Sequence, residues 1–365
     1  MKISLCMIVK NEEDPLERCL TSVSDIVDEI IIVNTGSSDR TKEIAEKFTK
    51  HVIDFEWVDD FAAARNFAFS HGTMDYIMWL DADDVLLPEE RQKLVKLKQS
   101  LDPLVDAVSM EYHCDFDDYG NVTLSVRRTR IVKRLKNFQW CGAVHEDLFV
   151  DGYLYDSDIV VTHKRVSKTT DRNLKIYENR LSQGKAFTAQ DVFHFARELH
   201  QHQIYERAIV FYLKYLEDEN NSVENKIFTC NRLADCYYQI GDKDKEMAYT
   251  FKSFQYDTPR SEACCRLGYH FLEKNAFKNA VYWYKQALEV PLPESSWAII
   301  NQPSRTWLPH MQLGLCYYRL GLYDLSYQHN KMALSYRPQD INILHNLSVL
   351  EELLEQRQQL RNFLT

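Results

Sequence analysis

A short apolar run that ends in a group of carboxylates constrains this chain more than any other feature. Residues 76–80 are mostly hydrophobic, and Asp81, Asp83 and Asp84 follow at once. The run predicts a buried strand. Ligands of open α/β sheets bind outside the carboxyl ends of the strands, and carboxylates separated by one residue can share a small hard cation. A solvent-exposed acidic turn is the alternative interpretation.

The residues around this run alternate between strand and helix patterns. Strands are predicted at 3–9, 30–33, 52–55, 106–112 and 159–162, and helices at 12–24, 40–47 and 61–68. This alternation is typical of βαβ units, which build a mostly parallel sheet with helices on both faces. The apolar run at the N-terminus leads straight into residues 10–14 without a small-residue cleavage site, so it predicts a first strand rather than a signal peptide.

Length, charge and cysteine usage exclude several classes of protein. A chain of 365 residues predicts two domains. No stretch approaches 18 consecutive apolar residues, so we expect no transmembrane segment. The formal net charge of −10 argues against nucleic-acid binding. Nine scattered cysteines without a C-x-x-C pair favour reduced thiols in a cytoplasmic protein.

Two further positions have both a structural and a functional interpretation. Asp39 follows a Gly-Ser-Ser stretch, where it can cap the next helix or accept hydrogen bonds from a nucleobase or ribose. Arg65 lies in a run of small and aromatic residues, where it can extend to solvent or lie over a base and pair with a phosphate. The local residues leave both alternatives open.

Four stretches occur in one order: 9–12, 33–41, 64–66 and 81–84. Together they resemble the family 2 glycosyltransferases of the GT-A fold, and the resemblance covers roughly residues 1–165. It implies a nucleotide-sugar site, with a UDP-sugar as the expected donor and Mg²⁺ or Mn²⁺ as the expected cofactor.

The resemblance also implies a role for individual residues. The nucleotide-sugar site would consist of Val9, Asn11, Glu12, Asp39, Arg65, Asp81 and Ala82. Asp39 would contact the base, Arg65 would lie near the base and phosphates, and Asp81 would hold the ribose. Asp83 would bind the metal. His163 ends another predicted strand, where a neutral imidazole can complete the metal shell or simply face solvent.

The acceptor side is expected in residues 140–148. An inverting transfer needs a carboxylate that takes a proton from the acceptor. Glu146 is predicted to be this base because its V-H-E motif is similar to that of relatives that carry helical repeats; Asp147 and Asp151 are further candidates, and a surface acidic turn is the alternative. The basic residues at 127, 128 and 130 form either a phosphate clamp or a solvated face.

From about residue 171 the apolar residues recur with the period of a helix. Segments 233–241, 267–271 and 313–321 align as tetratricopeptide-like repeats, with a 34-residue period and one 12-residue insertion near residues 291–309. Such solenoids present a concave surface for extended peptides or another subunit.

These observations predict an α/β GT-A domain at 1–168, a helical linker at 169–188 and an all-α tetratricopeptide-like solenoid at 189–365. The architecture resembles that of bacterial peptide S-glycosyltransferases, which implies a peptide or protein acceptor held partly by the repeats. Two alternatives remain open: a glycosyltransferase for polysaccharide or lipid-linked sugars whose repeats form a homodimer, and a non-catalytic interaction scaffold.

Overall fold

A computed structural model describes residues 1–164, 171–293 and 297–364 of the chain. The chain forms two compact units, and the second includes a short segment that interrupts the first in sequence. The first consists of Met1–Cys114 and Val126–Asn220, and the second of Asp115–Ser125 and Asn221–Thr365. The boundary predicted at residue 168 lies outside the described residues, so the domain limits stay a prediction.

The first unit contains a mixed, mostly parallel sheet, as the sequence predicts. Its strands are β1 Ile3–Val9, β2 Glu29–Asn34, β3 Val52–Asp54, β4 Tyr76–Met78, β5 Asp84–Val85, β6 Ala107–Phe116, β7 Val122–Lys133 and β10 Leu154–His163. Their order is β3-β2-β1-β4-β7-β6-β10-β5. Strands β3, β2, β1 and β4 are parallel to their neighbours, as are β6 and β10, whereas β7 runs antiparallel to β4 and β5 antiparallel to β10. A separate two-stranded sheet pairs β8 Trp140–Cys141 with β9 Asp147–Leu148.

Helices cover both faces of this sheet. They are α1 Leu16–Thr21, α2 Thr41–Glu46, α3 Phe61–Ser70 and α4 Pro88–Ser100. The first unit also contains α5 Arg172–Ser182, α6 Ala189–Gln201 and α7 Tyr205–Leu216. Side chains of a strand alternate between its two faces. Accordingly Ile3 and Leu5 of β1 pack in one core with α1, α2 and α4, while Cys6 packs in a second core with α3.

Helix α1 begins at Leu16, so the predicted start at Glu12 is wrong. Asn11 adopts a left-handed backbone with φ 55°. The N–H groups of Glu12 and Glu13 then donate to Thr41 Oγ1 at 2.6 Å and to Asp39 Oδ2 at 3.2 Å. These residues therefore tie the first loop to the second.

The second unit is a helical repeat array, which confirms the predicted solenoid class. Its helices are α8 Val223–Gln239, α9 Lys243–Ser253, α10 Ser261–Glu273, α11 Phe277–Glu289, α12 Trp307–Arg319, α13 Tyr323–Tyr336 and α14 Ile341–Leu364. Small residues let the helices approach: a Cβ added to Gly268 would lie 2.7 Å from the ring of Tyr284. The predicted insertion contains a short strand, β11 Ile300–Asn301, which pairs with Leu124 and Ser125 at the start of β7. Within the described residues, no helix is both long and apolar enough to cross a membrane.

Candidate active site

The first unit has a cleft of about 820 Å³ at the carboxyl ends of its parallel strands. Because β1, β2 and β4 are parallel, the residues that follow each strand meet at one edge of the sheet. The cleft is lined by all the predicted nucleotide-sugar residues and both predicted metal ligands, namely Val9, Asn11, Glu12, Asp39, Arg65, Asp81, Ala82, Asp83 and His163. The fold therefore brings together residues that are up to 154 positions apart in the sequence.

Two carboxylates and one imidazole converge in this cleft. Strands β5 and β10 place Asp84 directly opposite His163. Nδ1 of His163 lies 3.4 Å from Oδ1 of Asp83 and 3.4 Å from Oδ1 of Asp84. Potential ligand atoms of the three side chains all lie within 4.8 Å of one another. Sequence reasoning assigned Asp83 and His163 to a metal but gave no role to Asp84.

The donor atoms of this group fit a divalent cation. Oδ1 of Asp84 and Nδ1 of His163 are buried and have no hydrogen-bond partner among the described residues. Burial and the carboxylates of Asp81 and Asp84 raise the pKa of Asp83. Burial lowers the pKa of His163, but the carboxylates of Asp84 and Asp83 outweigh it and raise that pKa. Two oxygens and one nitrogen with excess negative charge are suitable ligands for Mg²⁺ or Mn²⁺.

The excess of negative charge extends to the loop after β1. Burial and the carboxylates of Asp83 and Asp81 raise the pKa of Glu12 to about 7. The exposed guanidinium of Arg172, at the start of α5, also lines the cleft and opposes this effect. Four carboxylates therefore share a region where a cation would relieve their mutual repulsion.

Arg65 is buried and links two carboxylates across the cleft. Its side chain is 7% exposed, so the solvent-directed alternative is wrong. Nη2 donates to Asp81 Oδ1 at 2.7 Å, and Nε donates to Glu146 Oε1. Its guanidinium carbon lies 4.6 Å from the ring centre of Trp79 and 4.9 Å from that of Trp140. Arg65 therefore fixes the positions of Asp81 and Glu146.

The predicted catalytic carboxylates have different surroundings. Glu146 lines the cleft, but its side chain is only 10% exposed and is paired with Arg65. Asp147 pairs with Arg128 at 3.2 Å and is half exposed. Asp151 is exposed. The catalytic assignments of Glu146 and Asp147 stay predictions.

Asp39 has the contacts expected of a capping residue and also lines the cleft. Its Oδ1 accepts a hydrogen bond of 3.0 Å from the backbone N–H of Thr41, the first residue of α2. Burial raises the pKa of Asp39, but hydrogen bonds from Thr41 and Glu13 outweigh it and lower that pKa. The neighbouring loop is fixed by Asn11, whose Oδ1 accepts from the N–H of Ser38 at 2.8 Å.

Several side chains in and beside the cleft have partners that the sequence does not show. Arg130 is fully buried and pairs with Asp84, so the solvated-face interpretation is wrong for this residue. The Trp79 ring contacts two guanidinium groups: the guanidinium carbon of Arg130 lies 3.9 Å from the ring centre, and that of Arg65 lies 4.6 Å from it. Glu198 reaches the cleft from α6. Partners so distant in sequence leave no local pattern.

Comparisons with known proteins agree with this geometry. Residues 4–149 match glycosyl transferase family 2. The chain is 26% identical over 251 residues to the SPbeta prophage-derived glycosyltransferase SunS of Bacillus subtilis, covering 63% of this chain and 58% of the relative. It is 50% identical over 88 residues to a TPR repeat-containing protein of Synechococcus elongatus, covering 24% of this chain and 22% of that protein.

A solved structure of glucosyl-3-phosphoglycerate synthase from Mycobacterium tuberculosis, in complex with Mn²⁺ and UDP-glucose, is also similar, with a TM-score of 0.35 and 15% identity over 52% of this chain and 81% of that one. The chain spans less than two thirds of the length of both curated relatives. The family match coincides with the segment that carries the sheet and most of the cleft. Residues 4–149 thus match glycosyl transferase family 2, and the chain continues into tetratricopeptide-like helical repeats.

Proposed function

We propose that the chain is a metal-dependent, inverting glycosyltransferase that moves a sugar from a nucleotide sugar, with UDP as the expected nucleotide, to a peptide or protein acceptor. One observation carries the proposal: the Asp83, Asp84 and His163 group opens into the same cleft as Asp39 and Asp81. The cleft volume of about 820 Å³ is in the range of pockets that enclose small-molecule ligands.

The residues of the cleft have separable roles in this reaction. Asp39 would accept hydrogen bonds from the base, and Asp81, held by Arg65, would accept them from the ribose. Asp83, Asp84 and His163 would hold the divalent cation. When bound, the cation supplies Lewis-acid stabilisation of the charge that develops on the leaving diphosphate.

Buried pairing makes this arrangement rigid before any ligand arrives. Asp84 accepts from the backbone N–H of Asp81 at 3.0 Å and from Arg130 Nη1 at 2.9 Å. Preorganised charges of this kind need little rearrangement during the reaction. The acceptor would attack the anomeric carbon from the face opposite the nucleotide, which inverts the configuration.

The peptide or protein acceptor rests on the resemblance to peptide S-glycosyltransferases and on the presence of the helical repeats. Repeat arrays bind extended peptides along their surfaces. Acceptor and sugar identity depend on pocket details that family membership does not define.

Calorimetric titration of the full chain with UDP and with GDP, each with and without Mn²⁺, tests the donor site. We expect one nucleotide to bind in a metal-dependent manner, which would also identify the base. If neither nucleotide binds in the presence of Mn²⁺, the transferase proposal is refuted and the scaffold interpretation is favoured.

A further inference from the structure

We propose that His145, positioned by Glu198, is the general base that takes the proton from the acceptor. This inference rests on the proposed transferase function and assigns the proton transfer to a different side chain from the Glu146 predicted in the sequence. Four observations support it: a strained backbone, a buried carboxylate partner, a free ring nitrogen and the engagement of Glu146 elsewhere.

The backbone of His145 is held in an unusual conformation. Its φ is 52°, in the left-handed region that non-glycine residues rarely adopt. The surrounding turn is fixed from three helices: the N–H of Phe61 donates to Ala143 O at 2.9 Å, Tyr177 Oη donates to Val144 O at 3.1 Å, and Gln190 Nε2 donates to His145 O at 3.3 Å. Strained residues held by several contacts occur preferentially at functional sites.

One nitrogen of the His145 ring has a buried acidic partner. Nε2 lies 2.6 Å from Oε1 of Glu198, whose side chain is 5% exposed. A carboxylate accepts hydrogen bonds and does not donate them, so this contact requires the proton of the neutral imidazole to be on Nε2. The lone pair is then on Nδ1. Asn173 Nδ2 donates to the same carboxylate oxygen at 3.3 Å and helps to hold it in place.

The other nitrogen is available to a ligand. Nδ1 of His145 has no hydrogen-bond partner in the part of the chain that the structure describes, and the side chain is 29% exposed on the wall of the cleft. The ring stacks on His194, with 4.7 Å between ring centres. A base in this position has both a fixed orientation and access to the acceptor.

Charged and titratable side chains on the neighbouring elements surround His145. Glu198, His194 and Arg197 lie on α6, and His202 directly follows that helix. Arg128 lies on β7, and Glu146 is the next residue in the chain. Burial, His145, Arg197 and Arg128 lower the pKa of His194 well below its ordinary value. Glu198 is therefore the carboxylate that directly faces the imidazole and can stabilise it after protonation.

Glu146 is less suited to this step. Its carboxylate is paired with the buried guanidinium of Arg65, and the pair is almost excluded from solvent. The Oε1 atom of this carboxylate is already engaged by the Nε–H of Arg65. The structure gives Glu146 a positioning role, because it fixes Arg65, which in turn holds Asp81.

The proposed sugar transfer is a single displacement at the anomeric carbon. The acceptor hydroxyl or thiol transfers its proton to Nδ1 of His145 as its oxygen or sulfur forms a bond with the anomeric carbon. The bond from that carbon to the diphosphate oxygen breaks, and the electron pair leaves with the nucleoside diphosphate. His145 becomes an imidazolium, paired with the Glu198 carboxylate.

The test uses the full chain with Mn²⁺ and measures hydrolysis of UDP-glucose, UDP-N-acetylglucosamine and GDP-mannose, with water as the acceptor. The key variant is His145→Asn, because asparagine tolerates the left-handed backbone better than most residues. We expect hydrolysis of the active donor to fall at least 100-fold, with its Kd unchanged within twofold. His51→Asn, at an exposed site, is the matched control and should retain the wild-type rate.

The pH profile separates a base from a structural residue. The wild-type rate should rise with pH, and the limb that depends on His145 should vanish in His145→Asn, whereas any limb from Glu12, whose pKa is raised to about 7, should be present in both proteins. Glu198→Gln should also lower the rate with the donor Kd unchanged, because the imidazolium that forms in the step loses its counter-charge. Glycine tolerates the positive φ at this position, so His145→Gly should keep the fold. Added imidazole should raise the hydrolysis rate of His145→Gly at least tenfold over its rate without imidazole.

Two results would overturn the inference, and they are distinguishable. A His145→Asn rate within threefold of wild type, with the pH limb intact, would exclude His145 as the base while leaving the transferase function in place. If the wild-type chain neither binds nor hydrolyses any of the three nucleotide sugars, the proposed function fails, and the inference fails with it.

Discussion

Arg130 and Asp84 form an ion pair in which both side chains are fully excluded from solvent, with 2.9 Å between Nη1 and Oδ2. The guanidinium also lies 3.9 Å from the ring centre of Trp79 and 4.5 Å from that of Tyr112. Removal of two charges from water is costly, and the pair persists because each partner neutralises the other. The pair connects the hydrophobic core to the acidic turn after β4.

Loss of the arginine should destabilise the fold strongly. Arg130→Met removes the guanidinium that neutralises the buried carboxylate of Asp84, so we expect the free energy of unfolding to fall by about 3–5 kcal/mol. Lys42→Met is the matched control, because its partner Asp54 is exposed, and should cost less than about 1 kcal/mol. Urea denaturation followed by circular dichroism measures both; similar losses in the two variants would contradict this account.

Substitution of a metal ligand should change binding without changing the fold. Asp83→Asn removes one negative ligand from the group with Asp84 and His163, so we expect metal-dependent nucleotide binding to weaken at least tenfold. Asp158→Asn changes an exposed aspartate, whose side chain is 83% exposed, and should bind as the wild type does. Calorimetry with Mn²⁺ measures the difference; unchanged metal-dependent binding in Asp83→Asn would remove Asp83 from the site.

The stability of the helical repeats should depend on pH through two facing histidines. Nδ1 of His310 lies 2.9 Å from Nδ1 of His329. Burial, His310 and Lys285 lower the pKa of His329 to about 4. The unfolded chain therefore binds the proton more readily, and the free energy of unfolding should fall as pH decreases from about 6.5 to 4, by up to about 2 kcal/mol.

Comparison with His329→Gln isolates this contribution from other groups that titrate in the same range. Denaturation curves at pH 6.5, 5.5 and 4.5 should show a smaller loss in the variant than in the wild type. An exposed substitution, His51→Gln, should leave the wild-type pH dependence unchanged. Equal slopes for wild type and His329→Gln would contradict the assignment.

A single methyl group should disrupt the contact between two repeat helices. The Cβ of Gly268→Ala would lie 2.7 Å from Cε1 of Tyr284, which is buried. Overpacking of this kind costs about 1–3 kcal/mol, and it should outweigh the helix-propensity gain of about 0.5–1 kcal/mol. Gly268→Ala combined with Tyr284→Leu should recover part of the loss. A melting temperature of Gly268→Ala equal to or above that of the wild type would show that the Tyr284 ring moves aside, and would contradict this prediction.

Local patterns were sufficient for most of the fold. Residues 3–9 contain a nearly continuous apolar run, and β1 has these bounds. The 34-residue period predicted the repeat helices, because each repeat needs a small residue at the same helix contact. Ala234, Gly268 and Gly314 are these residues. The ordered carboxylates at 39, 81 and 83 likewise predicted which residues share the cleft.

Partners distant in sequence account for what was missed. Asp84 and Arg130 are 46 positions apart, and His145 and Glu198 are 53 positions apart. A buried arginine on a strand looks like a solvated one until its partner is known. Similarly, nothing near Glu146 in the sequence shows that Arg65 binds its carboxylate.

Residues Asp115–Ser125 belong to the second unit although they lie within the sequence range of the first. One cleavage of the chain therefore cannot separate the two units completely. Leu124 and Ser125 pair with β11, and Asn121 donates to the carbonyl of Tyr336 at 2.7 Å. A gene truncated before residue 221 would leave this hairpin tip without its partners, and the downstream helices would lose the same contacts. We therefore expect gene fusion or recombination to preserve function more often when it moves the coding regions of both units together than when it moves one alone.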